Sequence, residues 1–569
     1  MKRNLIISIA LLAFGTLVSY GTNPVILPLR FDRYYSYEEV NEALRLLHET
    51  YPNLTRLDRV GKSDEGRDIM ALTICNEKTG PEREKPGIYV DGNIHGNEIQ
   101  AGEVCLYLAD YLLGRYGKND KITPLIDRCA FYILPVVNVD GRWHFFNDAN
   151  TPSTNRSIRR PQDDDNDGLF DEDGYDDLDG DGNICQMRIK DPDGSYKTDA
   201  TDKRLMVPIK PEEKGEWTLL GYEGIDNDND GRFNEDNEGY LDPNRNWPYN
   251  WKPEFIQRGA GEYPFSGIGL KAVGAYIEER TNILMVWAFH NNGGMFLRSP
   301  STKEAEVPRQ DIETYDLLGL NAEKIVPGYK YMPSYDLYDT YGDFGEFTYN
   351  VMGAYTFVGE LFQVENEAYN KTGKAPDDES QQDLERLKFN DRLAMGELFK
   401  EWKPFQHPVY GEIEIGGWTK MSSRLPHPFM LPDLVHRNAS AVLYSATQLP
   451  LIEMEIFEKE KIGKDLWKIR VRLRNTKGLP TMTQQSWQKK IHSPDQVLAS
   501  GAKVIASGKI TDRYTNQVEY KEFRPELQFT RVPGFSTVEY EFIVEGKGKL
   551  SIEYRSLKAN DCSKIIELK

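Results

Sequence analysis

The chain has 569 residues, 39% of them apolar and 28% charged, which is long enough for several domains and too apolar for a disordered chain. Its 90 acidic and 70 basic side chains, a net charge of −20, argue against nucleic acid or an anionic membrane as the main partner. The excess is local: Pro161–Asp242 carries 26 acidic and 8 basic side chains, and the remaining 487 residues are close to neutral.

Residues 1–21 combine Lys2 and Arg3, the apolar run Leu5–Val18 and the small residues Ser19 and Gly21. That is the layout of a secretory signal peptide. The run is shorter than the ~20 residues that span a bilayer. No later segment is apolar enough to span one, so a secreted or periplasmic protein is expected. Five cysteines without CxxC spacing suggest neither a disulfide framework nor a zinc knuckle, and Cys75, Cys105 and Cys129 read as core thiols.

Tyr37–His48 has helical periodicity, with Val40, Ala43, Leu44 and Leu47 on one face and Ser36 and Glu39 at capping-box spacing. Short apolar runs then recur at Ile88–Val90, Phe131–Val137, Ile283–Phe289 and Tyr355–Val358, with helical patterns between them at Ala101–Leu113 and Gly267–Arg280. Runs apolar on both faces suit strands covered by helices on each side. The order predicts an α/β domain over residues 22–405, with a mixed, mostly parallel sheet. Ligands bind beyond the carboxyl ends of such strands, where His95, His290 and Glu360 lie.

The acidic segment 161–242 contains three similar loops: Asp163-x-Asp165-x-Asp167-Gly, Asp177-x-Asp179-x-Asp181-Gly and Asp226-x-Asp228-x-Asp230-Gly. Alternate carboxylates before a glycine turn wrap hard oxygen ligands around Ca²⁺. The twelfth positions, Gly174, Arg188 and Asn237, are not the glutamate of an EF-hand. The first loop continues to Asp171. Two or three structural Ca²⁺ sites are expected.

From about Pro408 the period changes to two: Glu412–Ile415, Trp467–Arg474, Val538–Val544 and Leu550–Tyr554 alternate apolar and polar residues. Residues 406–569 therefore read as a β-sandwich, with the boundary near Trp402–Tyr410.

His95-Gly96-Asn97-Glu98 offers an imidazole and a carboxylate three residues apart, and His290 ends an apolar strand at the same sheet edge. Two nitrogens and a carboxylate suit Zn²⁺ and leave its fourth position open. At this point the chain resembles the zinc carboxypeptidases of the carboxypeptidase A type. The matching segments are His95–Glu98, Asn138-Val139-Asp140-Gly141, Asn155-Arg156-Ser157-Ile158-Arg159, Asp242-Pro243-Asn244-Arg245-Asn246-Trp247 and Phe289-His290. Tyr338 also stands 22 positions before Glu360, and Glu65-Gly66-Arg67 resembles an early family turn.

The resemblance implies a peptidase acting on peptides or proteins, with His95, Glu98 and His290 on zinc and Glu360 as general base for a zinc-activated water. It implies Arg159 as the oxyanion's cation, Asn244 and Arg245 as the pair that binds the substrate's C-terminal carboxylate, and Tyr338 as a mobile lid. Where the family's digestive members carry an arginine between the first two ligands, this chain has Asn97. Two other readings stay open: cell-wall peptide hydrolysis on the same scaffold, and a catalytically inactive calcium-dependent binding protein.

Overall fold

The computed structural model describes residues 25–163, 168–227, 231–235, 239–363, 367–372, 376, 378–422 and 424–569. The signal segment 1–21, and Asp165, Asp167, Asp228 and Asp230 of the acidic loops, lie outside the described residues.

The first helix, Tyr37–Thr50, starts at a complete capping box: Glu39 N–H donates to the Ser36 hydroxyl, and the Glu39 carboxylate accepts from Ser36 N–H. Its Val40, Ala43, Leu44 and Leu47 are buried, as the periodicity requires. The helix packs beside an eight-stranded sheet ordered 55–62, 68–74, 130–134, 87–92, 283–291, 355–361, 295–298, 330–333. Four of its seven strand pairings are parallel, and the central ones join 130–134, 87–92, 283–291 and 355–361. Strands Gly87–Gly92, Ala130–Leu134 and Ile283–Asn291 are buried along their whole length, the signature of a sheet covered on both faces. All five cysteines are free, and Cys75, Cys105, Cys129 and Cys185 are buried.

The acidic insertion is closed at its base. Strand Ile158–Arg160 pairs antiparallel with Gly239–Leu241, Ile158 opposite Leu241. Two segments separated by some 80 residues are thereby brought side by side.

The predicted C-terminal boundary is corrected by the pairing. Strands Phe399–His407 and Gly411–Trp418 join the insertion's strands in a six-stranded sheet, in which Glu414 stands opposite Arg188. The Arg188 guanidinium lies between the Trp217 and Trp402 rings and bonds the Glu414 carboxylate at 2.6 Å. Helix Leu431–Thr447 then buries Val435, Ala439, Val442 and Ala446 in the core around the eight-stranded sheet. A separate core begins only at Ile452. The alternation at 412–415 reports a half-buried strand, but alternation does not name the strand's partner.

Beyond Ile452, a five-stranded and a four-stranded antiparallel sheet enclose the second core, which holds Trp467, Val471, Tyr540, Phe542, Ile552 and Tyr554. This sandwich seats on the α/β unit through buried polar groups. Asp311 accepts from Gln484 N–H, Gln485 N–H, Tyr349 and Tyr355. Lys558 Nζ donates to the Met352 and Gly353 carbonyls at 2.8 and 3.1 Å.

Candidate metal centre and active site

Three strand ends and one turn build the site. His290 and Glu360 are register partners on adjacent parallel strands, and Phe289 pairs with Gly92, after which the chain turns into His95. That turn is set by Asn93, whose φ of 56° is held by its amide donating to the His95 and Gly96 carbonyls. Gly96 and Gly141 face each other so closely that a Cβ on Gly96 would lie 2.5 Å from Gly141 Cα and 2.2 Å from Asn155 O. Only glycine permits this approach, which presses the Asn155–Arg159 segment against the ligand turn through Gly96 N–H to Arg156 O at 2.9 Å. Asp140 accepts from Ser63, Glu65 N–H and Arg67, so the Glu65–Arg67 turn is an anchor for the turn at 138–141.

His95, Glu98 and His290 are buried and converge. Glu98 Oε1 lies 2.9 Å from His95 Nδ1, Glu98 Oε2 lies 3.1 Å from His290 Nδ1, and the two Nδ1 atoms are 3.2 Å apart. His95 Nε2 lies 3.2 Å from Asp242 Oδ1, the carboxylate–imidazole pairing that leaves Nδ1 with its lone pair for a metal. Burial pushes the Glu98 carboxyl up, but His95 and His290 outweigh it and hold it well below the ordinary range. The donor set, two imidazole nitrogens and an ionised carboxylate, all buried, fits Zn²⁺.

Glu360, half-buried beside these ligands, is pushed up to about 7 by burial, with Glu98 adding to the shift and His290, Arg156 and Arg424 opposing it. That value suits a general base working near neutrality.

The structure does not put Arg159 at the ligand cluster. Arg159 Nη2 bonds Asp148 at 3.1 Å and Asn155 Oδ1 at 2.9 Å. Arg156 reaches the cluster instead, with Nη1 3.2 Å from Glu98 Oε1 and Nη2 3.5 Å from Asp242 Oδ2. Two arginines three residues apart are equivalent in spacing; the 158–160 strand turns the second away from the cluster.

Arg245 is buried and donates to Asn244 O at 2.7 Å, while Asn244 N–H donates to Asp242 and Asn244 Oδ1 accepts from Phe344 N–H. The Asp242–Arg245 turn thus hangs on the same carboxylate that orients His95. Tyr338 is 59% exposed, just after the short helix Ser334–Asp336, with room to move. Asn246 and Trp247 are structural: Asn246 donates to the Ala260 and Tyr263 carbonyls, and Trp247 Nε1 to Pro243 O.

In the insertion, one hydrogen bond recurs in each loop. Gly168, Gly182 and Gly231 N–H donate to the Oδ2 of Asp163, Asp177 and Asp226 at 3.2, 2.9 and 3.0 Å, and all three glycines have positive φ. In the second loop Asp177 and Asp179 converge with the buried Glu223. Burial pushes Glu223 up to about 7, with Asp179 and Asp177 adding. Asp181 is turned aside, 2.9 Å from Lys400 Nζ. Asp171 is drawn back to the start of the first loop, where it accepts from Gln162 N–H at 2.9 Å.

Arg156, Asp242 and Glu223 are therefore absent from the sequence-derived assignments. Asp242 was visible only as part of a motif, and Glu223, 46 residues from Asp177, carries no spacing signal.

The sequence profile of the zinc carboxypeptidase family matches residues 40–186 and 187–381, and a domain of unknown function matches 451–567. Human carboxypeptidase D is 41% identical over 116 residues, 20% of this chain and 8% of that protein. An inactive metallocarboxypeptidase of Saccharomyces cerevisiae is 36% identical over 112 residues, 20% of this chain and 26% of that one. The chain thus spans about a quarter or less of these relatives. Among solved structures, thrombin-activatable fibrinolysis inhibitor aligns with a TM-score of 0.45 at 16% identity, covering 73% of this chain and 74% of that one. With its profile matched over more than half of the sequence, the chain belongs to the zinc carboxypeptidase family.

Proposed function

We propose that the protein is a zinc-dependent carboxypeptidase that hydrolyses the C-terminal peptide bond of peptides or proteins outside the cytoplasm. The observation that carries this reading is the convergence of His95, Glu98 and His290 beside Glu360, with the Arg156 guanidinium on the same cluster. Zinc held by the three ligands would supply Lewis acidity towards the scissile carbonyl and make water a nucleophile at neutral pH.

The chain's own residues do the rest. Glu360 takes a proton from the attacking water as its oxygen bonds to the carbonyl carbon. It returns that proton to the amine nitrogen as the C–N bond breaks. Arg156 offsets the negative charge on the carbonyl oxygen in a pocket where a fixed cation is more effective than water. Asn244 and Arg245 receive the terminal carboxylate, which a guanidinium fork matches. Tyr338 covers the bound residue.

The insertion adds structural Ca²⁺ sites in this reading. Asp177, Asp179 and Glu223 offer an all-oxygen set of the kind Ca²⁺ prefers. The segment 1–21 directs export, and no described helix is long and apolar enough to cross a membrane.

Release of C-terminal residues from a mixed peptide library tests the main reading. Release should stop with a zinc chelator, return with zinc and be lost in Glu360→Gln. Absent or chelator-insensitive release would defeat it.

A further inference from the structure

Helix Val139–Asn147 carries an arginine that the proposed reaction does not use. Arg142 is fully buried, and so are the two side chains it meets, Asn93 and Glu103. Its guanidinium has five N–H donors and makes five hydrogen bonds. Nε donates to Tyr35 O at 3.1 Å, and Nη2 donates to Tyr35 O at 2.6 Å and to Glu103 Oε1 at 2.7 Å. Nη1 donates to Asn93 Oδ1 and to Ile99 O, both at 2.9 Å. These last two acceptors bracket His95 and Glu98, the ligands supplied by this turn. Gly102, in the first turn of helix Gln100–Arg115, leaves room for the group: a Cβ there would lie 2.7 Å from Arg142 Nη1.

The bond to Asn93 decides which way that amide faces. An asparagine oxygen only accepts and its NH₂ only donates. With Oδ1 taken by a cation, Nδ2 is left to the His95 and Gly96 carbonyls, which it meets at 2.6 and 3.0 Å. Reversed, the amide would set its oxygen against two carbonyl oxygens and its NH₂ against the guanidinium. Arg142 thereby holds the left-handed Asn93 and, through it, the backbone of His95; its bond to Ile99 O holds the residue after Glu98. Net stability is a poor account of the arrangement. A buried ion pair such as Arg142–Glu103 is often no better than apolar residues of the same volume.

We propose that Arg142 is a positioning residue for the metal centre, presetting the turn 93–99 so that His95 and Glu98 meet zinc without reordering. The inference rests on the zinc reading above and goes beyond it, because Arg142 acts on the ligands only through Asn93 and the main chain. Ordering the turn in advance removes a cost that zinc binding would otherwise carry.

Zinc affinity of the full-length protein, measured by competition with a chromophoric chelator, tests this. Removing the arginine alone would strand the Glu103 charge, so the first variant is Arg142→Met with Glu103→Gln. Its zinc dissociation constant should rise by about 10–100-fold, the range for residues that orient metal ligands from outside. Asn93→Gly keeps the left-handed backbone and removes the amide, and should raise the constant too. All three substitutions together should raise it by less than the product of the separate effects, since they break one link. Arg142→Lys keeps the charge without the fork and should fall between wild type and the first variant. Leu112→Ala, a core change in helix Gln100–Arg115, lowers stability without touching the turn and should keep wild-type affinity. Melting temperatures of the zinc-free proteins show which variants fold. Wild-type affinity in a folded Arg142 variant, independent effects of Arg142 and Asn93, or an equal loss in Leu112→Ala would overturn the proposal. If neither Arg142 variant folds, wild-type affinity in Asn93→Gly overturns it. Wild-type protein that binds no zinc would instead remove the zinc reading, and this inference with it.

Discussion

Among the described residues, three potential metal-ligating groups come together in two places, and the two differ in almost every physical respect. His95, Glu98 and His290 are all buried, mix nitrogen with oxygen and come from strand ends nearly 200 residues apart. Asp177, Asp179 and Glu223 are all oxygen and range from exposed to buried; two come from a single turn that fixes itself through Gly182 N–H. The first set exists only because the sheet does. The second is largely local, built on a loop that occurs three times. A site assembled by the core should fail completely when altered, whereas a local site should fail alone and leave catalysis standing.

The sharpest way to break that contrast is at Glu360. Glu360→Gln should lower kcat by about 10²–10⁴ while the zinc content measured by metal analysis stays at wild type. His290→Ala should lose the zinc itself. Next, Arg156→Ala should cost about 10²–10³ in kcat, the magnitude of an oxyanion donor. Arg159→Ala should stay close to wild type, and equal losses would show that the 158–160 strand does not separate the two arginines' roles.

On the insertion side, Ca²⁺ at a hundred times its dissociation constant should stabilise the protein by about 2.7 kcal/mol in denaturant titrations. Glu223→Gln should shrink that gain with little change in kcat/KM. A large loss of activity would mean that the insertion is not energetically separate from the cleft.

A pH-dependent effect on stability alone is expected at the sandwich junction, where burial pushes Lys558 down to about 7. An amine whose folded pKa is depressed is bound less tightly by protons in the native state than in the unfolded one. Stability should therefore rise with pH between about 7 and the ordinary value near 10.5, by at most about 1.4 kcal/mol per pH unit. Lys558→Met should flatten that slope in pH-dependent unfolding.

The helix at 37–50 was legible because a capping box and a 3.6-residue period are local facts. The strands 87–92, 283–291 and 355–361 were legible because burial on both faces leaves a continuous apolar run. The meeting of His95, His290 and Glu360 could be read at the ends of those runs, since side chains at the carboxyl ends of neighbouring parallel strands must meet. Arg156 and Arg159 could not be told apart: spacing places both near the site, and only the pairing of 158–160 with 239–241 turns one away. The strand at 411–418 was recognised from its alternation but assigned to the wrong partner, because alternation records which face is buried and not what buries it, and its neighbour at 399–407 was read as a domain boundary.

By itself, then, the sequence determined the local conformations, the strand-end chemistry and the repeated acidic turn, all of which depend on residues close together in the chain. Tertiary structure alone decided that Asp242 orients His95, that Glu223 completes the second acidic loop, and that the Arg424 carbonyl ties to Asn291 and Gln100. Each of these contacts joins residues more than 40 positions apart, and their geometry is set by the packing of whole elements rather than by any local preference.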